Sequence, residues 1–452
     1  MAKYEKYAEY KDSGVEWLGE IPSHWDLKPI KYLFDIVNGS TPKSGEEDFW
    51  DGGITWITPS DLSKLNSHVI GESIRTITKK GLDSCGTSLV PSDTIILSCR
   101  APIGSLAITS KEACTNQGCK SLVKKYDLSA KFFYYYLSIS TKQLNNLGRG
   151  TTFLELSSDE LGNYALGIPN AEEQIQIANF LDHETAKIDS LIAKQEKLIE
   201  LLKEKRQAVI SHAVTKGLNP NVSMKDSGVE WLGEVPEHWV TPKLLHITDR
   251  IGDGLHSTPT YEDGTGYYFI NGNNLDNGRL KIGATAKEVP YSEYLKHQVM
   301  LNGQTVLLSI NGTIGNVSLY NGEMVVLGKS ASYINCLSCI LPCFLMFFLT
   351  TNQAKYYYDL EVTGTTIFNL SLGSIRNMRV PLFPIEEQTE IVNFCIQQNN
   401  KYEYLIGVAT AKKTLLTERR TALISSTVTG KIDVRNWQNP NKNNETNMES
   451  SA

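Results

Sequence analysis

The decapeptide Lys-Asp-Ser-Gly-Val-Glu-Trp-Leu-Gly-Glu at residues 11–20 recurs unchanged at residues 225–234, so one unit is written twice at an offset of 214. The same offset links Gly150-Thr-Thr152 to Gly364-Thr-Thr366, Glu172-Glu-Gln174 to Glu386-Glu-Gln388, and Asn179-Phe180 to Asn393-Phe394. Between these anchors the register slips, with Leu97-Ser98 matching Leu308-Ser309 and Ile103-Gly104 matching Ile314-Gly315. A fixed frame therefore carries a varied filling. A solenoid needs several short repeats to bury a continuous core, and two copies at so long a period argue instead for two similar globular halves.

Each half begins with short β-rich runs bounded by Gly, Pro, Asp or Ser. In the first they are Ile54-Thr-Trp-Ile57, Thr94-Ile-Ile-Leu-Ser98 and Ser105-Leu-Ala-Ile-Thr109, followed by a helical pattern over residues 131–143. In the second they are Gly266-Tyr-Tyr-Phe-Ile270, Thr305-Val-Leu-Leu-Ser309 and Asn316-Val-Ser-Leu-Tyr320, with helix over residues 344–353. The texture changes at Pro169, where Asn170 and Glu173 have capping-box spacing and open a helix of about forty residues, roughly 60 Å at 1.5 Å per residue. Leu181, Ile188, Leu191, Leu198, Leu202 and Val209 fall near heptad a and d positions, and Phe394, Tyr402, Leu405, Leu416 and Leu423 do the same after Pro384. A helix twice the usual globular length projects beyond one domain and calls for a partner helix. With a domain of some 150 residues between them, the two helices are expected to pair antiparallel and to relate the halves by a pseudo-twofold axis.

The expected fold is α+β: two domains of mixed α/β content, separated by an antiparallel pair of long coiled-coil helices. The boundaries read as an N-terminal arm at 1–24, a first domain at 25–170, a long helix at 171–216 and a linker at 217–238 that repeats the arm. A second domain at 239–384 and a second long helix at 385–430 follow, then a tail at 431–452 that is Asn-, Ser- and Glu-rich from Trp437 and reads as disordered. By the same symmetry, residues 11–20 should lie against the end of the second helix near Gly430, a structural hinge rather than a reading surface.

With 41% hydrophobic residues the 452-residue chain can build sizeable cores, while its longest apolar stretch, residues 340–349, is about half a bilayer span. A soluble cytoplasmic protein without membrane contact is expected. Eight cysteines show no disulfide framework, in keeping with a reducing compartment. The net charge of −6 gives no global attraction to nucleic acid, but phosphate binding depends on local Lys and Arg and on what a partner adds.

Motifs for chemistry are wanting. Gly322 to Gly328-Lys-Ser330 has five residues between the glycines where a phosphate-binding loop has four, and no helix signal follows. Cys336, Cys339 and Cys343 lack a second pair or a nearby His and sit among Ile and Leu, which reads as buried, inert thiols. His24 and His238, in the repeated Pro-x-His-Trp, are expected to hold a junction rather than to catalyse. Neither Asn219-Pro-Asn nor Asn439-Pro-Asn fits the Asn/Asp-Pro-Pro-aromatic signature of an adenine methylase, and nuclease and helicase motifs are missing. No catalytic residue, metal site or cofactor is expected.

What remains is a set of polar, Gly-rich loops at comparable places in both halves, differing in chemistry. Arg suits guanine, Asn and Gln suit adenine, and Ser and Thr serve base or phosphate. The candidates for DNA contact are Lys43, Ser60, Arg100, Asn116, Gln117, Arg149 and Thr151 in the first half. In the second they are His256, Asn271, Asn273, Asn274, Asn311, Lys329, Ser330 and Thr365. Two readers of one design would prefer two different half-sites. On residues alone, a coiled-coil scaffold whose globular halves bind protein or small ligands stays open as the alternative.

The order of these motifs resembles the specificity subunit of a Type I restriction-modification system. The lead-ins at Ser13 and Ser227, the Ser-Thr-Pro motifs at Ser40 and Ser257, the Gly-Thr-Thr motifs, and Glu-Glu-Gln opening each long helix carry the resemblance, over residues 10–430. It implies two target-recognition domains bound to a bipartite double-stranded DNA target with a non-specific gap fixed by the helices. It implies as partners two methylase subunits that modify an adenine in each half, joined by translocase/nuclease subunits in a restricting complex that defends against foreign DNA. The chain itself would be non-catalytic. Leu191, Leu198, Leu202, Leu405 and Leu416 are the candidates for the methylase interface.

Overall fold

Polar side chains that stitch loops to strand ends recur at matched positions in both halves, and they explain why two divergent sequences settle into one element order. The computed structural model describes residues 4–65, 67–100, 102–149, 154–283, 285–364 and 368–440. The chain divides into two compact units. The first takes residues up to Lys194 together with those from Lys412 onward, and the second takes residues 195–411. Each unit therefore owns one globular domain and a half of each long helix, rather than a domain and its own trailing helix.

In the first unit a five-stranded sheet runs in the spatial order Phe34–Asn38, Cys119–Lys124, Ile95–Ser98, Leu106–Thr109, Val69–Ile70, antiparallel except for the last pair. Its two central apolar runs, Ile95–Ser98 and Leu106–Thr109, are buried throughout, as strands covered on both faces must be. A smaller sheet pairs Trp50–Ile57 in parallel with Cys114–Thr115 and antiparallel with Thr76–Ile77. The single helix expected over residues 131–143 is two helices, Ala130–Ser138 and Thr141–Leu147. The break falls where the buried Ser140 hydroxyl turns back to the Tyr136 carbonyl, a local bond that competes with continuing the helix.

The second unit repeats this with a four-stranded sheet, Thr248–Asp253, Ala331–Cys336, Thr305–Ser309, Val317–Leu319. Its smaller sheet pairs Tyr268–Ile270 in parallel with Val325–Leu327. Helices Pro342–Leu349 and Asn352–Glu361 follow, the latter capped by the Thr351 hydroxyl on the Ala354 N–H at 3.0 Å.

The long helices span Ala171–Lys216 and Ile385–Val428, about 70 and 65 Å at 1.5 Å per residue. Within the first unit Arg420 Nε meets Asp189 at 2.7 Å, and within the second Arg206 meets Glu403 at 3.7 Å, so the helices run antiparallel. The seam differs from the expected heptads. Covered or half-covered positions fall at Ile188, Ile192, Gln195, Ile199, Leu202 and Arg206, alternating steps of four and three. Leu191 and Leu198, one residue off that register, stand 42% and 43% exposed on its flank. On the second helix Tyr402, Ile406, Ala409, Lys413, Leu416, Arg420 and Leu423 follow the same rhythm, and Leu405 lies outside it.

The repeated decapeptide is a hairpin. Tyr10–Asp12 pairs antiparallel with Glu20–Pro22, and Met224–Asp226 with Glu234–Pro236. Each turn opens with an aspartate accepting from a glycine N–H two residues on, Asp12 from Gly14 and Asp226 from Gly228, both at 2.9 Å. Lys431 Nζ donates to the Glu20 carbonyl and Lys216 Nζ to that of Glu234, which places each hairpin at the end of a long helix. Asp433 N–H reaches Glu5 O at 2.9 Å, so the segment before the first hairpin lies beside the segment after the second long helix.

Glu173 explains why Glu-Glu-Gln recurs unchanged at the start of both long helices. Its N–H is capped by Asn170 Oδ1 at 2.9 Å, but its carboxylate does not complete a capping box. It accepts instead from Trp25 Nε1 at 3.1 Å and Tyr7 Oη at 2.6 Å, and meets His24 Nε2 at 2.9 Å. Glu387 meets Trp239 and His238 at 3.1 and 2.8 Å in the same way. The next residue is as fixed: Gln174 bonds the backbone of Ser129 and Pro169, and Gln388 that of Cys339, Leu341 and Phe383. The histidines thus sit in junctions, as their motif suggests. Trp437 corrects the expected start of the tail, since it packs edge-on against Phe180 with ring centroids 5.5 Å apart.

Candidate nucleic-acid interface

Hydrogen bonds draw the described parts of the first unit's polar loops together. Gly39 lets the loop 39–43 cross the Thr115 and Asn116 carbonyls so closely that any Cβ there would collide with them. Ser40 N–H then bonds Thr115 O at 3.0 Å, and Thr41 Oγ1 meets Gln117 Oε1. Asn116 N–H bonds Ile57 O at 3.0 Å, bringing in the loop at residues 58–61, where Asp61 caps Thr58 N–H at 2.8 Å. Cys99 N–H bonds Gly118 O at 2.8 Å, and Arg100 and Arg149 each bridge to Glu155.

The second unit builds the same arrangement with other residues. Gly254 crosses the Leu327 and Gly328 carbonyls as Gly39 crosses its own. Asn274 caps Asn271 N–H at 2.9 Å where Asp61 caps Thr58. Ser309 Oγ accepts from Asn316 N–H and donates to Thr313 O, as Ser98 does with Ser105 and Pro102. Ile310 N–H bonds Ser330 O where Cys99 bonds Gly118, and Leu370 N–H bonds Ile310 O where Leu156 bonds Cys99. Asn311 and Thr363 each bridge to Asn369, so Arg100, Arg149 and Glu155 correspond to Asn311, Thr363 and Asn369.

A family model for the Type I restriction modification DNA specificity domain matches residues 22–201 and again residues 236–403. The chain belongs to that family. It is 26% identical to the Type I restriction enzyme EcoBI specificity subunit of Escherichia coli, over 85% of this chain and 81% of that one. A match to the MjaIX specificity subunit of Methanocaldococcus jannaschii is 34% identical but covers only 45% of this chain and 46% of that relative. Two solved structures share the fold at 15% identity. One, from work on complex assembly and conformational transition of the type I R-M system, has a TM-score of 0.68 over 90% of this chain and 98% of its own. The other is the HsdS subunit from Thermoanaerobacter tengcongensis, at 0.51 over 91% and 98%.

On the specificity-domain frame the candidate residues separate by what their side chains already do. Lys43, Ser60, Gln117, Asn273 and Lys329 are exposed at the loop edges. Asn116 accepts from Gly118 N–H, while Asn271 Oδ1 and Ser330 Oγ bond one another at 3.0 Å. Asn274 is buried and also donates to Lys281 O and Thr285 Oγ1, so it builds its loop and presents nothing outward. His256 pairs with Asp253 at 2.7 Å. Arg100 binds Glu155 at 3.0 Å, Arg149 binds Glu160 at 2.5 Å while staying 86% exposed, and Asn311 Nδ2 approaches Asn369 Oδ1 at 3.4 Å. Thr151 and Thr365 lie outside the described residues.

Glu155 and Asn369 are not among the residues the loop composition points to, although Leu156 and Leu370 at the offset of 214 mark them as aligned and chemically different. Among the methylase-interface candidates, Leu191, Leu198 and Leu405 stand on exposed flanks and Leu202 is half-buried. Leu416 packs in the first unit's core with Ile188 and Leu423, which removes it from any outer face. The Gly322 to Ser330 segment runs from strand to strand with no helix after Ser330, so it lacks the helix N-terminus of a phosphate loop. No helix among the described residues is long and apolar enough to cross a membrane.

Proposed function

We propose that this chain is the non-catalytic reading subunit of a Type I restriction-modification complex, each specificity domain reading one half of a bipartite double-stranded DNA target. The observation that carries the reading is one loop-anchoring frame built twice, with Arg, Glu and Arg at the edge of one copy where the other has Asn, Asn and Thr. Phosphates would position such a module without regard to sequence, and differing loop side chains at base edges would make the two half-sites differ. Chemistry would belong to two methylase partners, which must take each target adenine out of the stack, and to translocase/nuclease subunits where restriction occurs. Exposed Leu191, Leu198 and Leu405 suit the methylase contact.

The test is to co-express the chain with its methylase partner and sequence the modified bases. A gapped motif with one methylated adenine in each half is expected, and exchange of residues 25–168 for another family member's domain should alter one half alone. A contiguous motif, or none, overturns the reading.

A further inference from the structure

We propose that the bridge positions 100, 149 and 155, with their counterparts 311, 363 and 369, form a base-reading register. In it the first unit demands a guanine through Arg100, and the second an adenine through Asn311. The inference rests on the DNA-reading function above and adds which positions decide a base, and which base.

Three observations converge. The backbone is the same in both copies: Arg100 and Arg149 bridge to Glu155, Asn311 and Thr363 bridge to Asn369, and Leu156 and Leu370 close the same bond to residues 99 and 310. A difference in side chain is therefore presented from an equivalent backbone position. Secondly, these side chains face outward, Arg100 being 43% and Glu155 47% exposed, whereas the neighbouring serines that fix the loops are buried. Thirdly, the Arg100 guanidinium is held from one edge only. Nη2 donates to Glu155 at 3.0 Å, and among the described residues the enclosed Nε has no partner.

A planar guanidinium steadied by a carboxylate loses little freedom on meeting the paired acceptors O6 and N7 of guanine. An Asn amide carries the adjacent donor and acceptor that match N7 and N6 of adenine. The Asn311 to Asn369 contact, at 3.4 Å, is long enough to be exchanged for that pairing. Glu155 acts here as a positioning residue.

The experiment uses the full chain in its methylase complex. Base preference at every target position is measured by competition with an oligonucleotide panel at fixed salt, alongside the methylome. One position in the half-site assigned to the first unit should prefer guanine by roughly five- to 150-fold, the range of one bidentate contact. Arg100→Ala should flatten that position and leave the others as they were. Glu155→Gln should weaken the same preference, an effect that general loosening of the fold would spread over all positions. The triple exchange Arg100→Asn, Arg149→Thr, Glu155→Asn should turn the position toward adenine, and the reciprocal exchange in the second unit should turn the other half toward guanine.

An unchanged profile in an active exchange variant, or a first half-site without a G·C pair, overturns the inference while the gapped motif of the wild type still supports the function. Loss of all methylation by both exchanges also overturns it, because a register separable from the frame should leave the rest of the target read. A wild type without a gapped motif sinks the function itself.

Discussion

Glu173→Ala and Glu387→Ala remove equivalent carboxylates from equivalent junctions, yet the structure requires unequal costs. Glu173 accepts from two enclosed donors, Tyr7 Oη at 2.6 Å and Trp25 Nε1 at 3.1 Å, while its His24 partner is partly exposed. Glu387 accepts from one enclosed donor, Trp239 Nε1, and its own side chain is 31% exposed against 3% for Glu173. A buried donor left unsatisfied costs about 1–3 kcal/mol, so the first substitution should cost about 4 kcal/mol and the second about 2. The difference of about 2 kcal/mol is roughly 30-fold in a local opening constant. Hydrogen-exchange mass spectrometry reads it directly by comparing loss of protection in the hairpin at residues 10–22 in one variant with that at residues 224–236 in the other. Tyr7→Phe supplies the internal control: combined with Glu173→Ala it takes away the stranded hydroxyl and should recover most of the excess, bringing the cost back toward that of Glu387→Ala. Equal loss in both hairpins, or greater loss in the second, would refute the argument that burial and donor number set the strength of this junction.

Two further predictions follow the same copy-against-copy logic or the burial of side chains. Gly430 and Gly217 both hold positive φ, +73° and +78°, but a Cβ at Gly430 would press on Pro22 whereas one at Gly217 would meet nothing nearer than 3.5 Å. Gly430→Ala should therefore lower stability by more than the roughly 1 kcal/mol that left-handed backbone alone imposes on Gly217→Ala, as read by thermal unfolding. Burial pushes the thiols of Cys114, Cys336 and Cys395 up to about 12, leaving about one part in ten thousand as thiolate at pH 8. A disulfide reagent should modify the partly exposed Cys85 and Cys339 of the native chain first; prompt reaction at Cys114 or Cys395 would contradict their burial.

The duplication was legible because the residues that recur are those with no freedom to change. Trp25 and Glu173 need each other across the junction, and Gln174 needs the backbone of Ser129 and Pro169, so drift at any one strands a buried polar group. The helix pair was legible as length and apolar content, but its register was not. Leu191 and Leu198 are as apolar as Ile192 and Ile199, and choosing between adjacent stripes requires knowing which side the partner helix lies on. The loop residues divided for a related reason. Asn and Ser serve equally to read a base and to tie a turn, and composition cannot show that Asn274 spends its amide on Lys281 and Thr285 while Asn273 faces outward. The division of the long helices between units was hidden altogether, because it arises from antiparallel pairing and leaves no boundary signal in the local sequence.

This separation of tying from reading bears on how such a chain can change its target. Ser98 and Ser309 hold their loops through the same two bonds, and Asp61 and Asn274 cap equivalent turns although one is charged and the other neutral. What these positions must preserve is an acceptor at a fixed place, a requirement several residue types meet. The outward positions beside them, Arg100 and Asn311 above all, lie at least partly in solvent and answer to no core bond, so substitution there should shift stability by only about 0.5 kcal/mol. A change in base preference is thus decoupled from the cost of folding. The two copies could diverge to different half-sites without either losing the frame, which is why identity survives at the hairpins and junctions and fades at the loop edges.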